Sequence, residues 1–211
     1  WREAMSEKKG RFIVFEGLDG AGKTTQIRLL EDRLLADGRK VFRTAEPTDF
    51  VSGKLLRQAL SGERSCDAAE MAAMFLWDRI CHNTDPEAGI RRMLSDGYDV
   101  ICDRYYYSSL AYQGSATSGE WVADMNLHCP EILRPDLCIF LDLTPEQSME
   151  RINRGRAAHE IYENTETLRQ VQKQFYRALD LLKETDRICT VNAARSVEAI
   201  SEEIYRKVCE L

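Results

Sequence analysis

The first apolar run of the chain, Phe12-Ile13-Val14-Phe15, is short, rich in strand formers and closed by Glu16-Gly17. A run of that length, apolar at every position, predicts a buried strand of a parallel sheet. The period then changes: Ile27, Leu30 and Leu34 fall at helical spacing between Lys23 and Leu35, and Gly38 stops the helix. Strand signals return at Val41 to Thr44, Val100 to Cys102, Leu137 to Leu141 and Ile188 to Val191. Several helices between them carry readable ends. Asp67-Ala68-Ala69-Glu70 reads as a capping box opening a helix through Met71, Met74, Phe75 and Trp77. Pro86 predicts a helix start, and Gly97 its end. Thr144-Pro145-Glu146-Gln147 supplies an N-cap, a proline at the first helical position and a reciprocal glutamine. Ser196 caps a last helix carrying Val197, Ile200, Ile204 and Val208. Strands alternating with helices predict an α/β domain with a five-stranded parallel sheet flanked by helices. The polar, irregular stretch from Arg154 to Glu163 predicts a mobile lid.

Composition narrows the function. The 211 residues are 44% hydrophobic and 30% charged, enough apolar material for one sizeable core. A formal net charge of -6 argues against a protein that binds nucleic acid by neutralising phosphates. A small anion held by a few local arginines stays open, so the chemistry is expected in a pocket. The cysteines Cys66, Cys81, Cys102, Cys129, Cys138, Cys189 and Cys209 show no zinc or redox spacing. They read as reduced cytosolic thiols, with Cys102, Cys138 and Cys189 as small buried hydrophobes. The sequence carries neither a signal-peptide pattern nor a membrane-length apolar run, which predicts a cytoplasmic protein without membrane contact. Met5 reads as the natural start, with residues 1–10 an extension and 11–211 one domain.

Gly17-Leu18-Asp19-Gly20-Ala21-Gly22-Lys23-Thr24 fills every fixed position of a P-loop, between a strand and an amphipathic helix. Glycines let backbone N–H groups converge, and the helix N-terminus favours an anion. Lys23 is placed to reach the β- and γ-phosphates and the Thr24 hydroxyl to ligate magnesium. The predicted ATP cradle is Gly17, Leu18, Asp19, Gly20, Ala21, Gly22, Lys23, Thr24 and Thr25. No Asn-Lys-x-Asp segment follows a strand, which argues against a guanine reader. Val191-Asn192-Ala193 is a candidate neighbour of adenine. Two strand ends offer an acid, Asp103 and Asp142. Asp103 is preferred because Arg104 follows it, and a carboxylate beside a guanidinium suits a magnesium–phosphate site.

At this point the chain resembles a known family. Asp103-Arg104-Tyr105, Ser108 and Ala111-Tyr112-Gln113-Gly114 resemble the signature segment of thymidylate kinases, as does the opening from Phe15 through Thr25. Glu46-Pro47-Thr48 resembles the family's Glu-Pro turn. Phe75 and Arg79 resemble its base-stacking phenylalanine and base-reading arginine, and one helix face offers both. Arg134-Pro135-Asp136 also fits, as does the stretch from Arg154-Gly155-Arg156 to His159-Glu160-Ile161-Tyr162-Glu163-Asn164. The resemblance runs from Arg11 to the final helix.

The resemblance implies a three-layer P-loop kinase fold with a small lid at about 151–164. It implies transfer of the γ-phosphate of ATP to dTMP, with magnesium, in a homodimer; the helix around Met71, Met74 and Leu76 to Ile80 is apolar enough to face both a core and a partner, and core packing alone explains it as well. It makes Lys23, Asp103, Arg104, Arg154 and Arg156 catalytic, and gives the metal to Thr24 and Asp103. Arg151 is a third lid arginine, and Arg156 is the first choice among the three. In the dTMP site Asp19 would meet the 3′-hydroxyl, Phe75 stack on thymine and Arg79 donate to O4. Arg104 would hold the phosphate, Tyr112 wall off the 2′ position, and Ser109 and Gln113 lie near the base. Glu46, Pro47, Ser108 and Tyr162 complete the set. Without the resemblance, Phe75 reads as core packing and Tyr112 equally as a helix-packing residue. Some relatives carry a P-loop arginine where this chain has Gly20, and many carry arginine before Glu-Pro where it has Ala45. Arg43 and Arg57 are candidate replacements for the latter. Two other functions stand beside this one: a deoxynucleoside kinase, and a nucleotide-binding switch without small-molecule chemistry.

Overall fold

The computed structural model describes residues 9–155 and 165–211. Residues 156–164 of the expected lid and 1–8 of the expected extension lie outside them. Five strands, β1 (Phe12–Gly17), β2 (Lys40–Ala45), β3 (Tyr98–Asp103), β4 (Leu137–Asp142) and β5 (Ile188–Asn192), form one sheet in the order β2-β3-β1-β4-β5. Every pairing is parallel. The helices described are α1 (Lys23–Ala36), α2 (Val51–Leu60), α3 (Ala68–Thr84), α4 (Ile90–Ser95), α5 (Tyr106–Ala116), α6 (Gly119–Leu127), α7 (Pro145–Gly155), α8 (Thr165–Leu182) and α9 (Val197–Cys209).

Side-chain alternation along the strands divides the core in two. Phe12, Val14, Val100, Cys102, Cys138 and Phe140 face one side and pack under α5 and α8 through residues such as Tyr107, Val171 and Phe175. Ile13, Phe15, Ile101, Ile139 and Leu141 face the other, under α1 and α9 through Ile27, Leu30, Ile200 and Ile204. Helices on both faces explain why the central strands are apolar at nearly every position. The thiols of Cys102 and Cys138 are buried as expected, whereas Cys189, on the edge strand β5, is only half-buried. Strand order reverses around β1, so the carboxyl ends of β1, β3 and β4 open into a crevice where such sheets place ligands.

The expected caps are present. Asp67 and Glu70 form the reciprocal box, Ser196 accepts from the Ala199 N–H, and Thr144 accepts from the Gln147 N–H at 3.3 Å. The helix expected from Pro86 instead begins at Ile90. Asp85 accepts from the N–H groups of Glu87 and Ala88 at 3.0 and 2.8 Å, holding Pro86 in a turn that the helix follows. Three helices, α2, α5 and α6, are not among those expected from the sequence. Eight of the eleven residues of α5 are buried, so it has no polar stripe against which to read a period. Phe50 at the start of α2 gives no side-chain cap, and α6 is only nine residues long.

A charge clamp closes the amino end of the sheet. Asp99 of β3 is fully buried and accepts from Arg11 Nη2 at 2.5 Å, Arg39 Nε at 2.8 Å and the Arg11 N–H at 3.1 Å. Burial pushes its carboxyl up, but hydrogen bonds from Arg39 and Arg11 outweigh that and hold it below the ordinary value. Such a group adds stability above its unfolded value of about 4 and loses it as pH falls through the lowered folded value. Asp99→Asn is expected to lower stability by about 2 kcal/mol at neutral pH and to flatten the acid loss below about pH 4. Urea denaturation at neutral and acid pH measures both, and parent and variant curves of equal pH slope would show that the clamp is not responsible.

Candidate active site

The end of β1 builds the loop expected to cradle phosphate. Gly17 has φ 135, and a Cβ there would lie 2.6 Å from the Leu141 carbonyl oxygen, so only glycine turns the chain out of the sheet at this point. Gly22 is the N-cap of α1, which has no side-chain cap, leaving first-turn N–H groups for an anion. Lys23 is buried, and its Nζ donates to the Gly17 and Leu18 carbonyls at 3.2 and 3.3 Å, with Asp19 at 4.0 Å. Burial and nearby Arg104 push its ammonium below the ordinary value, while Asp103 and Asp19 pull it back. Gly20, Ala21, Thr24 and Thr25 line a cavity of about 550 Å³, shared with Ala193 and Arg151. Leu18 is buried in the core beneath this loop. Ala193 thus lies at the cradle, whereas the Asn192 side chain accepts from the Ala194 N–H.

The end of β3 supplies the second wall. Asp103 lines the same cavity, and its Oδ1 is buried without a hydrogen-bond partner. Asp142 is occupied instead, accepting from Tyr176 Oη at 2.8 Å and Gln172 Nε2 at 3.4 Å. An orphaned carboxylate oxygen close to the exposed Thr24 hydroxyl fits a hard cation that keeps several waters and takes phosphate oxygens. The described residues hold no cluster of three or more His, Cys, Asp or Glu for a protein-only metal cage. Arg104 has φ 68, the one non-glycine residue with positive φ among those described. Its Nη2 donates to Asp19 at 2.7 Å and its Nη1 to Ser108 Oγ at 3.0 Å. Burial disfavours its charge, but Asp19, Tyr112 and Asp103 outweigh that and hold the guanidinium protonated.

Beyond Arg104 a smaller cavity of about 130 Å³ opens between Pro47, Phe75, Tyr112 and Gln113. Asp19, Glu46, Arg104 and Ser108 also border it. Burial pushes the Tyr112 phenol up to about 12, so it stays neutral. Arg79 is 1% exposed and does not line this cavity. Its Nε and Nη2 donate to Glu46 Oε2 at 2.9 and 2.6 Å, and its Nη1 to Ser109 Oγ at 3.0 Å and Asn126 Oδ1 at 2.5 Å. Glu46 Oε1 lies 3.0 Å from His82 Nδ1, and the Glu46-Pro47 bond is cis. A third cavity, about 460 Å³, joins Thr24 and Asp103 to Pro47, Arg43 and Arg57.

A sequence model of thymidylate kinases matches residues 15–204. The "Probable thymidylate kinase" of Pyrococcus horikoshii is 39% identical over 206 residues, covering 95% of this chain and 96% of that protein. A "Probable thymidylate kinase" of Thermococcus onnurineus is 40% identical over 207 residues, covering 93% and 96%. The "Thymidylate kinase" of Leptospira interrogans is 36% identical over 185 residues, covering 87% and 88%. The chain belongs to the thymidylate kinase family.

Two departures from the thymidylate kinase pattern have structural counterparts. A Cβ at Gly20 would meet the Ser148 carbonyl oxygen at 2.8 Å and Arg151 Cβ at 3.4 Å, with φ at 76. Helix α7 therefore occupies the space of a P-loop side chain and brings its own arginine. Arg151 donates to the Ala193 carbonyl at 2.9 Å and to Gly20 at 3.4 Å. Arg154, one of the expected catalytic arginines, is exposed and paired with Glu150 at 2.5 Å, away from the residues lining the cradle. Arg156 and Tyr162 lie outside the described residues. Near Ala45, Arg57 is pinned to the Glu-Pro turn through the Thr48 and Pro47 carbonyls at 2.6 and 2.8 Å, whereas Arg43 pairs with Glu31 at 3.3 Å.

Sequence reasoning missed the supports behind the site. Asp78 accepts from the Thr48 N–H and Oγ1 at 2.8 and 2.6 Å and from Ser52 Oγ at 2.6 Å, fixing the turn after Pro47 to α3. Asp78, Arg79, His82 and Asn83 are all buried in the last turns of α3. Four polar residues so closely spaced in a largely apolar helix were the available signal. Glu46→Ala leaves the Arg79 guanidinium without its carboxylate, and its expected cost is about 3 kcal/mol or more. Denaturation midpoints check this, and a loss below about 1 kcal/mol would mean that the pair holds little of the site together.

Proposed function

We propose that this thymidylate kinase family member transfers the γ-phosphate of ATP to dTMP, giving ADP and dTDP. The observation that carries the reading is Arg104, held between Asp19 and Ser108 where the cradle meets the smaller cavity. A guanidinium there can hold the acceptor phosphate close to a γ-phosphate seated on Gly17 to Thr25. Phosphoryl transfer needs positioning and charge neutralisation more than proton chemistry, because a phosphate oxygen is the nucleophile.

The roles are those the family resemblance implies, and the chemistry of each side chain suits them. Lys23 neutralises the β- and γ-phosphates, and Arg151 approaches the same phosphates from α7. Arg154 and Arg156 belong to the segment that would close over the transfer and exclude water. Thr24 and Asp103 would hold magnesium, Asp103 through water; when bound, magnesium neutralises charge on the phosphate oxygens. Phe75 offers the face on which thymine stacks, beside Gln113. Tyr112 closes the side a ribose 2′-hydroxyl would need, and Asp19 is an acceptor for the 3′-hydroxyl. Arg79 lies behind Glu46 and Ser109, so its reach to the base runs along the edge of that network. A homodimer would use the outer face of α3, where Trp77 is 44% exposed. Among the described residues no helix is long and apolar enough to cross a membrane.

An ADP-release assay with magnesium-ATP against dTMP, dUMP, UMP, AMP and thymidine tests the reading. Strong preference for dTMP supports it, and activity with thymidine alone would make the protein a nucleoside kinase. Arg104→Ala is expected to lower kcat/KM for dTMP by about 10²–10³-fold while ATP binding persists. An unchanged rate would remove the acceptor-phosphate role.

A further inference from the structure

Glu16 is the last residue of β1 before the glycine that opens the phosphate loop, and it is completely buried. It lines none of the three cavities. Its carboxylate turns the other way, toward the start of α5. Oε1 accepts from the Tyr105 N–H at 2.8 Å and the Ser108 N–H at 3.1 Å, and Oε2 accepts from Ser108 Oγ at 2.6 Å. Helix α5 has Tyr105 as N-cap and no side-chain cap of its own. Glu16 therefore caps it from a different element, and an acidic group suits a helix N-terminus.

The residue immediately before that cap is Arg104, in the left-handed region at φ 68. A non-glycine residue there costs about 1 kcal/mol or more and persists only when its surroundings over-determine it. Both sides are fixed by β1: the Arg104 N–H donates to the Phe15 carbonyl at 2.9 Å, and the next N–H goes to Glu16. The side chain is tied to the same group. Ser108 Oγ accepts from Arg104 Nη1 at 3.0 Å and donates to Glu16 Oε2. One buried carboxylate thus sets the backbone and the guanidinium of Arg104 together.

We propose that Glu16 is a positioning residue for the acceptor phosphate, acting through Ser108 and the capped start of α5 to aim Arg104. The proposal rests on Arg104 holding that phosphate. Glu16 lines none of the three cavities and makes its hydrogen bonds to Tyr105 and Ser108, so its loss is expected to act on the acceptor side.

A double-variant cycle tests it, with KM for dTMP and for ATP measured on the parent, Glu16→Gln, Arg104→Ala and the combined variant. Glu16→Gln is expected to raise KM for dTMP about tenfold and to leave KM for ATP within about twofold. The combined variant should be within about twofold of Arg104→Ala alone, because two residues acting through one contact are not additive. Equal rises in both KM values, or full multiplication of the two effects, would make Glu16 a general structural support and overturn the proposal. If Arg104→Ala leaves KM for dTMP unchanged, the reading of Arg104 fails first and the proposal falls with it. Should Glu16→Gln not fold, Ser108→Ala decides, since it removes only the bridging hydroxyl. A rise in KM for dTMP that disappears in the Arg104→Ala background supports the proposal, and an unchanged KM contradicts it.

Discussion

The candidate site depends on one guanidinium held at the seam between two cavities. Arg104 lies at the carboxyl end of β3, pairs with Asp19 of the phosphate loop, and faces the ring of Tyr112 at 5.4 Å. Loop, strand end and helix α5 therefore share one charged side chain, and a displacement of any of them moves it. Its charge is secure because the surrounding carboxylates outweigh burial. Its backbone is strained and therefore needs the dense hydrogen bonding that β1 provides.

The smaller cavity is held in the same way. Arg79 is buried, and its charge is answered by Glu46, with Ser109 and Asn126 accepting from its Nη1. Glu46 in turn anchors the Glu-Pro turn to α3 through Arg79 and His82. The walls of this smaller cavity are thus set by a buried polar network that is largely satisfied internally, a condition that favours one fixed geometry. Beside Gly20 and Ala45 the structure places arginines of neighbouring helices, Arg151 of α7 at the Gly20 carbonyl and Arg57 of α2 at the Thr48 carbonyl.

Much of this was legible in the chain because its signals are local. The five strands are short apolar runs with clear ends, and the phosphate loop is a contiguous motif between a strand and a helix. Asp103 was preferred to Asp142 for the arginine beside it, while the partners of Asp142, Gln172 and Tyr176, lie on α8 with no mark in the local sequence. Pro86 misled because a proline suits both a helix start and a turn, and Asp85 decides for the turn. Other features have no local signature. Arg79 meets Glu46 across 33 residues, and Glu16 meets Ser108 across 92. Helix α5 is buried nearly all round, so neither period nor composition marks its extent. Arg151 was visible as an arginine but not as the one that α7 presses against Gly20, which needs the packing of two elements to be known.

The most direct test of a site organised around an acceptor phosphate is calorimetric titration of the unmodified protein with dTMP and with thymidine. The two ligands share base and sugar and differ only in the group assigned to Arg104. dTMP is expected to bind at least about 100-fold tighter, the order for a partly buried guanidinium–phosphate pair. Equal affinities would contradict it, since the guanidinium at the end of β3 would then contribute nothing to acceptor recognition.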